Sequence, residues 1–157
     1  MTESEIRELC NRFFDAYQDR RVDELAEIYA PDCVVWHNVF GREQSGAENL
    51  AALPKSYTGQ RRRTYDDRTI DVFEGGFVIR YTLAGVQHSG HKGALWICIV
   101  GLCKDGRITR IDEYMDSSKF AAWAGLNAEG AGRAKAALSE AASGVSRAQR
   151  AEGEQSQ

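Results

Sequence analysis

The order of patterns along the chain predicts an α+β fold in which helices pack on one strongly curved antiparallel sheet. Three observations carry this. Helical periodicity dominates the first third of the chain, interrupted by one short strand pattern. Period-two alternation fills residues 62–115, and Gly-containing turns separate its runs.

The first helix opens on Thr2-Glu3-Ser4-Glu5, a capping box that satisfies the free amides of a helix start. It runs to about Gln18, with Ile6, Leu9, Cys10, Phe13 and Tyr17 forming one apolar stripe. Val22, Leu25, Ile28 and Tyr29 repeat the spacing in a second helix, which Ala30-Pro31-Asp32 ends. The β-branched and aromatic run 33–40 reads as a strand. Ser45-Gly46-Ala47-Glu48 is a second capping box and opens a third helix, expected to break at Pro54. Strands are then expected at 62–73, 77–87, 93–103 and 107–115. They are joined by Glu74-Gly75-Gly76, the Ser89-Gly90 region and Lys104-Asp105-Gly106, the last a strong hairpin signal.

A chain of 157 residues, 43% hydrophobic and 27% charged, suits one globular domain with a real core. Large apolar groups thin out after about Lys119. Residues 1–118 therefore read as the domain and 119–157 as an Ala-rich extension, partly helical and then disordered. Phe120, Trp123 and Leu126, at helical spacing, are expected to pack across the body or a pocket mouth.

No apolar run approaches the roughly 18 residues of a membrane span, and the N-terminus is polar, so a cytoplasmic protein without membrane contact is expected. A net charge of −3 offers nucleic acid no general attraction. Arg61-Arg62-Arg63 is the one basic run, and it reads as a solvated or interface strand surface. Cys10, Cys33, Cys98 and Cys103 lack zinc or redox spacing and stand in apolar stretches, as reduced packing residues do. His88 and His91 share a Gly-containing turn without a supporting ligand pattern, so no metal is expected there. HExxH, GxSxG, GxGxxG and P-loop patterns are absent, and no cofactor is expected.

Sorting each strand by alternation shows which ionisable groups fall among apolar neighbours. His37 alternates with Cys33, Val35 and Val39, and Glu113 with Ile111 and Met115. Tyr81 lies between Ile79 and Leu83, and Cys98 between Trp96 and Val100. Converging in one cavity, these faces would supply a base, an acid and a phenol inside apolar walls, with pKa values moved toward neutrality. A strand histidine or tyrosine is as readily a hydrogen-bonded core residue; an inward carboxylate is costly unless it is paired or functional. Trp36, Trp96 and Tyr57 are candidates for an aromatic lining. Both alternating sets of the third long strand are apolar, and Leu95, Ile97 and Ile99 are read as an outer face that needs a second layer, most simply another subunit.

The segments 29–38, 46–50 and 105–114, which read YAPDCVVWHN, GAENL and DGRITRIDEY, resemble the NTF2-like superfamily, nearest its SnoaL-like polyketide cyclase and ketosteroid isomerase-like branch. The resemblance implies a cone of three N-terminal helices on a curved sheet, an apolar pocket at the open end, and dimerisation through the outer sheet face. It places the general base of ketosteroid isomerases at His37, their oxyanion-hole aspartate at Cys98 and their helix-one tyrosine at Phe13. All three differ here, which argues against ordinary ketosteroid isomerisation. Tyr81, Glu113 and Met115 are pocket-facing by the same comparison.

The expected function is cofactor-independent acid–base catalysis on a hydrophobic, oxygenated small molecule: isomerisation, dehydration, aldol-type cleavage or cyclisation. His37 would move the proton, Glu113 would orient and charge-balance it, and Tyr81 would donate to developing negative charge. Phe13, Tyr17, Tyr57, Trp96, Cys98 and Met115 would bind substrate. The alternative is a module of the same shape that binds a ligand or partner without turnover.

Overall fold

The computed structural model describes residues 1–58 and 60–123. Helices α1 (Glu3–Gln18) and α2 (Val22–Ile28) lead into strand β1 (Tyr29–His37), then β2 (Arg42–Ser45) and α3 (Gly46–Thr58). Four long strands follow: β3 (Gln60–Phe73), β4 (Gly76–Gln87), β5 (Lys92–Lys104) and β6 (Arg107–Met115). The short helix α4 (Ser117–Trp123) comes after them. Among the described residues no helix is long and apolar enough to cross a membrane. The expectations for residues 124–157 lie outside the described residues.

Both capping boxes form. Thr2 caps α1 reciprocally with Glu5, and Ser45 does the same for α3 with Glu48. Three local expectations need correction. β1 spans Tyr29–His37, not the expected 33–40, so Tyr29 and Ala30-Pro31-Asp32 belong to the sheet; β2 follows it as a short unforeseen edge strand; and α3 continues through Pro54 to Thr58.

The six strands form one curved sheet in the order β2-β1-β6-β5-β4-β3. The sheet is antiparallel except between β1 and β6, which run parallel, so the purely antiparallel reading is also corrected. A meander from β3 to β6 leaves β6 open on one side. β1, arriving from the helices, fills that side in the parallel sense.

Residues directly paired across strands face the same side, so the registers define rows across the inner face. His37, Glu113, Ile99, Ile79 and Ile70 make one row across β1, β6, β5, β4 and β3. Helix α1 packs its stripe of Ile6, Leu9, Cys10, Phe13 and Phe14 against this face. Leu95, Ile97 and Ile99 are buried in that core, whereas Trp96, at 63% exposure, is on the opposite side. The facing predicted for β5 is therefore reversed.

Candidate active site

Inner-face geometry brings His37, Glu113 and Tyr81 together with Phe13 and Tyr17 of α1 around one small interior void of about 10 Å³. That is room for about one water molecule. Tyr29 and Asn49 line it too, although neither was singled out from sequence. The Tyr29 hydroxyl donates to Asn49 Oδ1 at 3.5 Å, and Asn49 is the one buried polar side chain among the described residues, at 6% exposure. The signal for Asn49 was present. It falls with Leu50, Leu53 and Tyr57 on the buried stripe of α3.

Glu113 is only partly exposed, and burial pushes its carboxyl up to about 7, with the positive charge of Arg63 pulling the other way. Burial lowers the pKa of His37, leaving a neutral imidazole at neutral pH. Its buried Nδ1 has no hydrogen-bond partner among the described residues. Tyr81 is pushed well above the ordinary phenol range by burial and then by the Glu113 charge, so it remains a donor. The expected orientation of His37 by Glu113 does not form. The two are register neighbours, but no hydrogen bond or ion pair joins their side chains.

The backbone around His37 is fixed by the residue after it. Asn38 donates from Nδ2 to the Met115 carbonyl at 2.9 Å and accepts from the Met115 amide at 3.1 Å, as a strand residue would. The ladder between β1 and β6 is thereby extended beyond His37.

Tyr57 stands apart from the void. Its hydroxyl donates to the Tyr17 carbonyl at 3.3 Å, and its ring carries the guanidinium groups of Arg20 and Arg63. Met115 faces inward and is partly buried against the core. Trp96 and Cys98 do not reach the interior. They line a separate outer groove of about 570 Å³ with Arg80, Thr82 and Tyr114, because the parity of β5 places even-numbered residues outside. Position 98 thus does not occupy the inward place that the ketosteroid isomerase comparison gave it. His88 and His91 are exposed in the turn after β4. No group of three or more His, Cys, Asp or Glu side chains suited to a metal ion occurs among the described residues.

Sequence reasoning also missed Tyr65 and Arg63. Tyr65 packs against Tyr81 at a centroid distance of 5.7 Å and against Phe14 at 6.2 Å. Arg63, read as part of a solvated run, is half-buried and turned inward.

The family model of the SnoaL-like domain matches residues 10–111, which span α1 to β6 and the ionisable interior row up to Ile111. The chain belongs to the SnoaL-like family. No curated protein matches it. Among solved structures, this SnoaL-like chain is similar to a candidate polyketide cyclase from Xanthomonas campestris pv. campestris, at 18% identity and a TM-score of 0.70 over 77% of this chain and 97% of that one. It is also similar to an LEH-like epoxide hydrolase from M. tuberculosis, at 21% identity and a TM-score of 0.62 over 76% and 90% of the two chains. A third is AclR from Streptomyces galilaeus, described as a candidate hydroxylase, at 14% identity and a TM-score of 0.69 over 79% and 98%. At these identities the likeness shows the fold that the SnoaL-like chain shares with them.

Proposed function

We propose that this SnoaL-like protein is a cofactor-independent enzyme that moves a proton within a hydrophobic, oxygenated small molecule held inside the cone. One observation carries the reading: a carboxyl with a pKa of about 7 stands in register beside a neutral imidazole whose buried Nδ1 has no partner among the described residues. Near neutral pH Glu113 is present in both protonation states, so it can take a proton from carbon beside a carbonyl and return it elsewhere. Tyr81, held protonated, donates to the oxygen on which negative charge develops. His37, in the tautomer protonated at Nε2, accepts from a substrate hydroxyl at Nδ1. Isomerisation, dehydration, aldol-type cleavage and cyclisation all begin with such a step.

The size of the void favours a second reading. About 10 Å³ admits a water but no substrate, so Phe13, Tyr17 or their neighbours must swing aside before chemistry begins. A module that binds without turnover would keep them in place. Turnover of a panel of enolisable ketones and β-hydroxy ketones decides between the two. Wild type is expected to turn over at least one member, with a loss of ~10²–10⁴-fold in Glu113→Gln and His37→Ala. Full activity in both variants would exclude the assignment.

The outer face is where a second copy docks in this reading. Trp96, Leu102 and Tyr114 are its exposed apolar groups, and Lys119 lies over the Trp96 ring at 4.3 Å.

A further inference from the structure

Burying a side-chain amide is costly unless its donors and its acceptor are satisfied, and Asn49, on the apolar stripe of α3, is satisfied at one end alone. Its Oδ1 accepts from the Tyr29 hydroxyl at 3.5 Å, and that is the one hydrogen bond its side chain makes among the described residues. Nδ2 is left as the group that Asn49 brings to the interior void, which it lines together with Glu113, His37 and Tyr81.

The seating of α3 sets this arrangement. Gly46 opens the helix against β1, and a Cβ there would stand 2.9 Å from Cδ2 of Tyr29 and 3.1 Å from Cβ of Cys33, so any larger residue would hold the helix away. Nearly one helical turn further on, Asn49 meets the hydroxyl of the same Tyr29 ring. Burial keeps that phenol protonated, and its donation to Oδ1 fixes which end of the amide is free. Tyr29 is thus a positioning residue for Asn49.

The groups around the void then sort by chemistry. Glu113 and His37 Nδ1 accept protons or hydrogen bonds, whereas Asn49 Nδ2 and the Tyr81 hydroxyl donate. Two neutral donors beside a base complement a carbonyl oxygen whose neighbouring carbon carries the proton to be moved.

Resting on the acid–base reading of Glu113, we propose that Asn49 Nδ2 and the Tyr81 hydroxyl together hold the carbonyl oxygen of the substrate, which narrows the class to enolisable ketones. As Glu113 takes the proton from the neighbouring carbon, the C–H electron pair becomes a C=C bond and the carbonyl π pair moves to oxygen. Both donors then face an enolate, which they bind more tightly than the ketone. Return of the proton to carbon restores the carbonyl.

The test compares 2-acetylnaphthalene with 2-isopropenylnaphthalene, in which CH2 replaces the carbonyl oxygen, by calorimetric titration of the full chain. A site without donors favours the hydrocarbon, because the ketone gives up its hydration for nothing. Wild type is expected to favour the ketone, and Asn49→Leu to lower the ratio of the two affinities about fivefold or more. The infrared carbonyl stretch of the bound ketone should lie below its value in hexane, rise in Asn49→Leu, and rise less in Tyr29→Phe. On a ketone that wild type turns over, Asn49→Leu should lose ~10²-fold in kcat, more than it loses in binding. A wild type that prefers the hydrocarbon, no binding of the ketone, or an unchanged stretch in folded Asn49→Leu would each overturn the proposal. Should that variant not fold, wild type decides. Its Asn49 Nδ2 protons should shift downfield in NMR spectra with the ketone and not with the hydrocarbon, and equal shifts with both overturn the proposal as well. Glu113→Gln separates this proposal from the reading on which it rests. That variant keeps the ketone preference and the lowered stretch if the oxygen site is real, whereas full turnover in it would sink the acid–base role alone.

Discussion

His37 and Glu113 stand directly opposite each other on parallel strands, both turned into the cone, and no hydrogen bond or ion pair joins their side chains. A close acid and imidazole would stabilise each other's charge. Here burial dominates and drives both toward their uncharged forms, Glu113 upward to about 7 and His37 downward. Two neutral-leaning groups can face an apolar substrate without the desolvation cost of an ion pair.

The raised pKa of Glu113 carries a stability signature. An unfolded glutamate titrates near ~4.3, so the favourable protonated state is fully available below that pH and is lost as pH rises through about 7. Glu113→Gln removes the dependence. Urea unfolding should find the variant little changed at pH 4 and more stable than wild type at pH 8, by about 1–3 kcal/mol once partial exposure is allowed for. A difference independent of pH would count against the buried carboxyl.

For His37 the sign is opposite. A pKa lowered by burial means that the unfolded chain binds the proton more readily, so the stability from the neutral imidazole is complete above ~6.5 and falls as pH drops through the lower folded value. His37→Gln should flatten the acid limb of a stability–pH curve below ~6.5 and leave the alkaline side unchanged. An acid limb as steep as that of wild type would place His37 in water.

Alternation read His37, Glu113 and Tyr81 as inward-facing, and the strand registers turn them to the same inner face. It failed for β5, where Leu95, Ile97 and Ile99 compete with Trp96, Cys98 and Val100; only pairing with the neighbours settles the parity. In β3 the obstacle was a bulge. Asp66 pairs with Thr82 but Thr69 with Arg80, so one extra residue, near Asp67 at φ 55°, exchanges the faces. Tyr65 and Arg63 before the bulge face inward together with Ile70 and Val72 after it, a pattern that no single period reveals. The parallel entry of β1 depends on tertiary packing that a local window does not contain.

The reversed parity of β5 moves the proposed dimer contact from Leu95, Ile97 and Ile99 to Trp96, Leu102 and Tyr114. Wild type is expected to sediment as a dimer at micromolar concentration, and Trp96→Glu as a folded monomer. A wild-type monomer would end the dimer proposal.

Gly101 gives a sharp packing test. It lies in the inner row between Phe77 and Ile111, and a Cβ there would overlap the Phe77 ring. The ring of Phe77 is fully buried, so it has little freedom to move away. Gly101→Ala should destabilise the fold by roughly 1–3 kcal/mol or more. Adding Phe77→Leu should recover part of the loss, since it removes the atoms in conflict. Independent, additive effects of the two substitutions would show that the ring does not fill that space.

Asn38 links stability to the site itself. Its amide donates to the Met115 carbonyl and accepts from the Met115 amide, replacing two ladder hydrogen bonds where β1 ends. His37 is the preceding residue, and its own carbonyl accepts from the amides of Phe40 and Gly41 at 3.1 and 3.0 Å, so the turn and the ladder meet at this point. Asn38→Ala deletes both side-chain bonds and should cost about 1–3 kcal/mol. Asn38→Asp keeps the acceptor, loses the donor, and should fall between. Amide exchange offers the local readout. The Met115 amide should exchange faster in Asn38→Ala, while amides in the middle of β4 and β5 change only by the global loss of stability. Equal acceleration throughout the sheet would mean that Asn38 supports the fold as a whole and does not specifically hold the strand end that carries His37.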